Sequence, residues 1–211
     1  MSFQLIDRTC WPREPYFQHY FSAVPCSYSL TARLDITALR RAGLRLYPTL
    51  LFALTQVVNR HPEFRTALDP QGRLGIFDRM YPSYTVFSPR TETFTVLWTE
   101  CGEDYATFCA AYARDTAAYA GACRVDGKPG APDNLFSVSM LPWTSFEGFH
   151  LHLPKGEGHL LPIFTFGRFS EVGCRCTLPL AVQVHHAVCD GFHLSRFLHE
   201  LQALLDRPES L

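Results

Sequence analysis

The chain has 211 residues and a mass of 24.0 kDa, with 47% hydrophobic and 18% charged residues, enough apolar material for a core that needs neither disulfides nor a metal. A formal net charge of -1 and a pI near 6.7, with basic residues scattered along the sequence, give no electrostatic footprint for nucleic acid. No apolar run of about 18 residues is present to span a bilayer, and the opening "MSFQLIDRTCWPREPYF" lacks the pattern of an export signal, so a protein of the reducing cytoplasm is expected.

"SYSLTARLD", Ser27 to Asp35, alternates with Tyr28, Leu30, Ala32 and Leu34 on one face and predicts a half-buried strand. "YPTLLFALTQVVNRH" has Pro48 near its start and Leu51, Ala53, Leu54, Val57 and Val58 at helical spacing, predicting a helix that ends near Pro62. Three short β-branched and aromatic runs, "RLGIFD", "SYTVFS" and "TFTVLW", predict a hairpin or meander. The alanine-rich "EDYATFCAAYARDTAAY", Glu103 to Tyr119, predicts a second long helix, which a loop containing "DGKPGAP" follows. "NLFSVSML" and "PIFTFGRF" are expected as strands, and "CTLPLAVQVHH" is an apolar run long enough for a buried one. From Phe192 onward, Leu194, Phe197, Leu198, Leu201, Leu204 and Leu205 form one apolar stripe, a final helix laid over the sheet. With no repeat, low-complexity tract or long linker, residues 1–211 are expected to form one α/β domain.

The eight cysteines, Cys10, Cys26, Cys101, Cys109, Cys123, Cys174, Cys176 and Cys189, are spread through a chain that folds without them and are expected as free thiols. Cys174 and Cys176 share a strand face, but no second CxxC or histidine cluster completes a zinc site, and no metal is expected.

The densest chemistry lies in "QVHHAVCDGFH", Gln183 to His193. In an extended strand His185 and His186 point to opposite faces, so one can meet a pocket while the other packs. Asp190 stands four residues after His186, and Gly191 permits a tight turn into the helix. On local pattern alone Asp190 is also a helix N-cap, and a histidine at a strand end is also a core residue. Cys189 lies three residues after His186 without a pattern that makes it a nucleophile.

This stretch resembles the HHxxxDG signature of the chloramphenicol acetyltransferase family, a pattern shared more loosely with 2-oxo acid dehydrogenase acyltransferase cores and peptide-synthetase condensation domains. "WPREPYFQHYFSAVPCSYSLTARLDIT", "YPTLLFALTQVVN", "YTVFSPRTETFTVL" and "SVSMLPWTSFEGFHL" resemble further segments of the family in the same order. The resemblance implies a CoA-dependent acyltransferase fold, a two-layer α/β sandwich with a mixed sheet covered by helices on one side, assembled as a homotrimer with active sites at subunit interfaces. It implies acetyl transfer from acetyl-CoA to the primary hydroxyl of chloramphenicol, with His186 as general base and Ser139 stabilising the oxyanion. Such a base needs a neutral imidazole whose second nitrogen is fixed by a hydrogen bond.

Asp190 and Arg13 match the family's buried ion pair, which supports the site. Tyr20, Cys26, Tyr28, Thr85, Phe94 and Leu151 match the acceptor pocket; Tyr47, Trp143, Thr165 and Arg168 match the CoA walls, although Tyr47 and Trp143 also fit as core aromatics. The loop "CRVDGKPGAPDNLF", Cys123 to Phe136, departs from the family, and Ser137 stands where asparagine is common. A different small hydroxyl acceptor on the same fold is therefore the alternative function, with a noncatalytic binding protein behind it. A dehydrogenase-complex core is disfavoured, because no lipoyl domain or Ala-Pro-rich linker precedes the segment.

Overall fold

The structure is a computed structural model that describes residues 2–122, 124–153 and 158–211. In chain order it contains β1 (Phe3–Leu5), α1 (Glu14–Gln18) continued by a π-helical turn (His19–Ala23), β2 (Ser27–Asp35), α2 (Thr37–Arg41) and α3 (Leu46–Arg60). A 3-10 turn (Pro62–Phe64) leads to β3 (Thr66–Leu68), β4 (Leu74–Phe77), β5 (Tyr81–Ser88), β6 (Thr93–Trp98) and α4 (Tyr105–Tyr119). The chain closes with β7 (Leu135–Leu141), β8 (Ile163–Gly167), β9 (Ser170–Val172), β10 (Arg175–His185), α5 (Gly191–Leu205) and a 3-10 turn (Pro208–Ser210).

The predicted β2 has the observed bounds, and α3, α4 and α5 occupy the predicted helical stretches. The start of α4 is fixed by Asp104, whose side chain accepts the Thr107 N–H at 2.6 Å. Of the expected hairpin or meander, the hairpin is formed. β5 and β6 pair antiparallel, but β4 belongs to a separate three-stranded sheet of order β1-β4-β3. Its partner β1 carries no clear alternation in three residues, so sequence periodicity had nothing to pair β4 with.

The main sheet runs β2-β10-β8-β7-β5-β6, with β9 added beside β10. It is mixed: β7 pairs parallel with β5 and β8, and the other pairs are antiparallel. β9 turns into β10 through Gly173, whose φ of 60° lies in the left-handed region that glycine enters without a Cβ penalty.

Alternation divides the sheet into two unlike faces. Phe164 meets Phe197 of α5 with ring centroids 5.4 Å apart, and Tyr84 meets Tyr112 of α4 at 5.2 Å, so the row partners Val182, Phe164, Val138, Tyr84 and Leu97 look toward the helices. The intervening residues Thr31, Ala181, Thr165 and Ser139 form a row on the opposite face. Among the described residues no helix packs on that row. Part of it is covered by the segment after β7, held by the Arg168 N–H donating to Thr144 and by the side chain of Gln183 gripping Leu151.

Among the described residues no helix is long and apolar enough to cross a membrane. Phe197 is fully buried, with its ring 4.6 Å from that of Phe64 as well as against Phe164. Phe197→Ala removes a ring that joins α5 to the sheet and is expected to cost about 3–5 kcal/mol. Urea unfolding measures the loss, and a cost under about 1 kcal/mol would show that α5 is not anchored through this ring.

Candidate active site

β10 ends at His185, and His186 lies one residue beyond it in the turn that leads to α5. The separation of the two imidazoles thus comes from the turn, where an uninterrupted strand had been expected. His185 is buried, and its Nδ1 accepts the N–H of Ala187 at 3.1 Å. An accepting Nδ1 in a neutral ring places the proton on Nε2, so this side chain is committed to the turn.

The turn uses nearly all of its backbone groups. The His186 N–H donates to the Cys26 carbonyl at 2.8 Å, and the N–H groups of Val188 and Cys189 donate to the His185 carbonyl at 3.1 and 3.0 Å. Arg13 then donates from Nη2 to the His186 carbonyl at 3.0 Å, from Nε to the Ala187 carbonyl at 2.9 Å and from Nη1 to Asp190 Oδ2 at 2.9 Å. One planar guanidinium therefore fixes three successive features of the turn. Asp190 stands at the N-terminus of α5, and its own N–H donates to His193 Nδ1 at 3.2 Å in a capping box.

The pair continues into a wider charge network. His193 Nε2 is 3.3 Å from Glu63 Oε1, and Arg196 Nη2 is 3.3 Å from Glu63 Oε2. Glu63 and Arg196 were not legible in the sequence, because Glu63 follows Pro62 on a distant turn and no local pattern points to it. His193 carried a signal, since the third helical residue after an N-cap is where a side chain can reach back to the cap. Burial works against ionisation of Asp190, yet the hydrogen bond from Arg13 and the charges of His193 and Arg13 outweigh it and hold the carboxyl below its ordinary value of 3.8.

The ring of His186 stacks on Tyr20, with centroids 3.9 Å apart and planes 2° from parallel, and meets the edge of Tyr28 at 5.3 Å. Tyr20 comes from the π-helical turn, and the Cys26 N–H donating to the Tyr20 carbonyl at 3.3 Å ties that turn to the strand beside the base. The expected hydrogen bond to the second ring nitrogen is not formed. Among the described residues His186 Nδ1 is buried without a partner, and the ring is oriented by Tyr20 instead. With Nδ1 enclosed, Nε2 is the nitrogen left to meet a ligand. Cys189 is buried, and desolvation pushes its thiol up to about 12, so it supplies no thiolate near neutrality.

Tyr28 and Leu151 both line a cleft of about 580 Å³ on this side of the molecule. Tyr20, Cys26, Tyr28 and Leu151 thus gather around the turn that bears His186. Ser139, Thr165, Thr85, Phe94, Trp143 and Arg168 do not. Ser139 lies on β7 in a row that reaches β10 at Ala181, four residues before His185. With about 4.8 Å between strands and about 3.3 Å per residue, Ser139 is about 16 Å from His185 within one chain, and His186 lies one residue further along.

Around Ser139 stand Thr165, its register partner on β8, and Thr85 on the neighbouring β5. Phe94 pairs with Phe87, whose ring centroid is 4.6 Å from that of the exposed Trp143. Tyr47 lies on the helix side, in edge contact with Tyr84 and Tyr112; burial raises its phenol, and hydrogen bonding by Thr85 works against that rise. The divergent loop runs along the free edge of β6, where Val96 and Asp126 form a bridge and Lys128 Nζ donates to the Trp98 carbonyl at 3.0 Å. Cys123 lies outside the described residues.

The family model described as chloramphenicol acetyltransferase matches residues 1–202. The chain belongs to the chloramphenicol acetyltransferase family. It is 54% identical over 207 residues to a chloramphenicol acetyltransferase of Campylobacter coli, covering 98% of this chain and 100% of that one. A Clostridium perfringens protein of the same name is 52% identical over 206 residues, again covering 98% and 100%. A solved chloramphenicol acetyltransferase superposes with a TM-score of 0.84 at 25% identity, covering 97% of this chain and all of that one. A dihydrolipoamide acetyltransferase of Azotobacter vinelandii shares the fold at a TM-score of 0.66 and 23% identity, covering 93% of this chain and 88% of that one. The α/β acyltransferase architecture of the family is therefore present in full, its HHxxxDG turn included.

The Asp190 carboxylate, held below its usual value, contributes stability that is present above the unfolded value near 3.8 and is lost as pH falls through the lower folded value. Asp190→Asn is expected to be less stable than the parent at about pH 7, with the gap closing below about pH 4. Urea unfolding at both pH values measures this, and a gap independent of pH would show that the ionised carboxylate is not what stabilises the turn.

Proposed function

We propose that this chain transfers the acetyl group of acetyl-CoA to the primary hydroxyl of chloramphenicol, with His186 as general base and Ser139 stabilising the oxyanion. The observation that carries this reading is the His186–Asp190 turn: its backbone is tied to Cys26, His185 and Arg13, while Nε2 of the stacked imidazole is left for a ligand. Membership of the family and full-length relatives named chloramphenicol acetyltransferase support the substrates.

In this mechanism His186 Nε2 takes the hydroxyl proton as the acceptor oxygen bonds to the thioester carbonyl carbon. The Ser139 hydroxyl donates to the oxygen that gains negative charge. Collapse breaks the carbon–sulfur bond, and His186 returns the proton to the departing thiolate. Tyr20, Cys26, Tyr28 and Leu151 supply the acceptor wall beside the base, and Thr85 and Phe94 the wall beside Ser139. Arg13 and Asp190 hold the turn and exchange no proton with the substrate.

Tyr47, Trp143, Thr165 and Arg168 are the residues that would hold acetyl-CoA. The fit is supported by the exposed Trp143 ring and by an exposed Arg168 guanidinium that makes no ion pair among the described residues. The separation of Ser139 from the turn favours a site shared between copies, and in the homotrimer that the family resemblance implies His186 of one copy would face Ser139 of the next across the helix-free face. The described cysteines are free, which suits a cytoplasmic enzyme. A second hydroxyl acceptor is the alternative that the divergent loop beside β6 favours, because it sits near Phe94 at the pocket's far wall.

Release of the CoA thiol in the presence of acetyl-CoA and a panel of hydroxyl acceptors is expected to be fastest with chloramphenicol. His186→Ala is expected to lower turnover by at least about 100-fold, and Ser139→Ala by about 100-fold with acceptor binding little changed. Substantial turnover by a folded His186→Ala protein would remove the base assignment; a Ser139→Ala defect confined to KM would make Ser139 a binding residue.

A further inference from the structure

The loop after α4 places a carboxylate on the sheet face that carries Ser139. The Val96 N–H donates to the Val125 carbonyl at 2.7 Å, and the Gly127 N–H donates to the Val96 carbonyl at 3.1 Å. These two bonds straddle Asp126 and make it the parallel partner of Val96 on the outer edge of β6. Gly127 fixes which way the neighbouring side chains point. A Cβ at this position would lie 2.2 Å from Thr95 Oγ1 and 2.9 Å from Leu97 Cδ2, so only a residue without one lets the loop come this close. Leu97 belongs to the row that looks toward the helices. Gly127 therefore faces the helix side, and Asp126, one residue earlier, faces the other.

Strand register then aligns Asp126 with Ser139. Thr85 pairs with Val96, and one step beyond the pairing of Tyr84 with Val138 sets Thr85 beside Ser139. With Thr165 paired to Ser139, one row across this face reads Thr165, Ser139, Thr85, Val96 and Asp126. At about 4.8 Å per strand, three spacings put the Asp126 backbone about 14 Å from that of Ser139. Phe94 stands two residues before Val96, on the same face.

The loop is held in this register from behind. Lys128 Nζ donates to Asp115 Oδ2 at 2.8 Å and to the Trp98 carbonyl at 3.0 Å, and it lies 3.8 Å from the centre of the Trp98 ring. Asp115 also accepts the Thr99 hydroxyl at 2.7 Å, and both charged side chains are largely buried. The Lys128 charge is thus matched on α4 and does not offset Asp126. Arg124, two residues before Asp126, donates from Nη2 to the Gly127 carbonyl at 3.2 Å. Among the described residues Asp126 makes no ion pair.

We propose that Asp126 sets the charge selectivity of the acceptor site, favouring acceptors that carry a protonated amine remote from the reacting hydroxyl and disfavouring anionic ones. This rests on the function proposed above, because Asp126 extends the wall formed by Thr85 and Phe94. An acceptor that lies along the row with its hydroxyl beside Ser139 has its far end beside the carboxylate. At an effective dielectric of about 40, a unit charge within about 8 Å of Asp126 changes affinity by about fivefold.

Two pairs of chloramphenicol analogues test this by calorimetric binding at an ionic strength of about 20 mM, where screening is weak. In one pair the nitro group is replaced by aminomethyl or by carboxylate; in the other the dichloroacetyl group is replaced by glycyl or by oxalyl. The readout is the ratio of the two Kd values within a pair, in which any common effect on the wall cancels. The parent should prefer the cationic member of at least one pair, and Asp126→Asn should shift that ratio by about 25-fold toward the anionic member. Asp126→Lys should invert the preference, and about 0.5 M salt should shrink the parent's ratio. Asp126 is exposed in the chain, so both variants should unfold near the parent's temperature. Binding is read without turnover: a parent that discriminates between the analogues but does not acetylate chloramphenicol would contradict the proposed function and leave the charge selectivity standing. Ratios that Asp126→Asn leaves unchanged in both pairs, as when the carboxylate is taken up by a neighbouring copy, would overturn the proposal, and so would a parent that binds no member of either pair.

Discussion

Arg13 reaches across 173 residues of sequence to the His186 carbonyl and, with the same guanidinium, to the Ala187 carbonyl and the Asp190 carboxylate. A strand that ends in a turn leaves carbonyls with no ladder partner, and two such groups here are taken by a planar donor of fixed geometry. The third donor fixes the head of α5 relative to them. Position of the His186 ring then follows from backbone that cannot shift without breaking several bonds at once. Asp190 connects the turn onward to His193, Glu63 and Arg196, so the support extends to the 3-10 turn after α3. Under the proposed function, removal of Arg13 or Asp190 would lower activity through geometry, and such a loss is no evidence of proton transfer by either residue.

The same sheet that fixes the turn keeps it away from Ser139. β8 lies between β10 and β7, and the Ser139 row meets β10 at Ala181. Neither constraint can relax, because a slip of one residue would exchange the polar face for the buried row of Val138, Phe164 and Val182. The residues assigned to chemistry fall into a base half and an oxyanion half on one rigid scaffold. A second copy that brings the two together is the economical solution, and the face free of helices is where it would dock.

Much of this was legible in the sequence wherever one face of an element is buried. α5 carries its stripe because Leu194, Phe197, Leu201 and Leu205 are fully buried, whereas along the apolar side of β2 Leu34 is buried and Leu30 stays exposed. The HHxxxDG turn was legible as a motif, since its residues are contiguous. β4 was misplaced because a four-residue strand does not declare its partner. The support of the imidazole by Tyr20 was missed for a different reason: stacking between a π-helical turn and a residue more than 160 positions away leaves no periodic trace. Glu63 and Arg196 were hidden by the same long range. A shared role for Ser139 and His186 is implied by resemblance alone, and strand register is what exposed the gap between them within the chain.

Mixing two inactive chains addresses this division directly. His186→Ala and Ser139→Ala proteins, dissociated, combined in equal amounts and reassembled, are predicted to regain thiol release from acetyl-CoA in the presence of chloramphenicol. If each site takes His186 from one copy and Ser139 from its neighbour, random assembly leaves about a quarter of the sites intact, and activity should return to about a quarter of the unmutated level. Failure to recover activity, with mixed oligomers shown to have formed, would mean that one chain supplies both groups and would contradict the divided site.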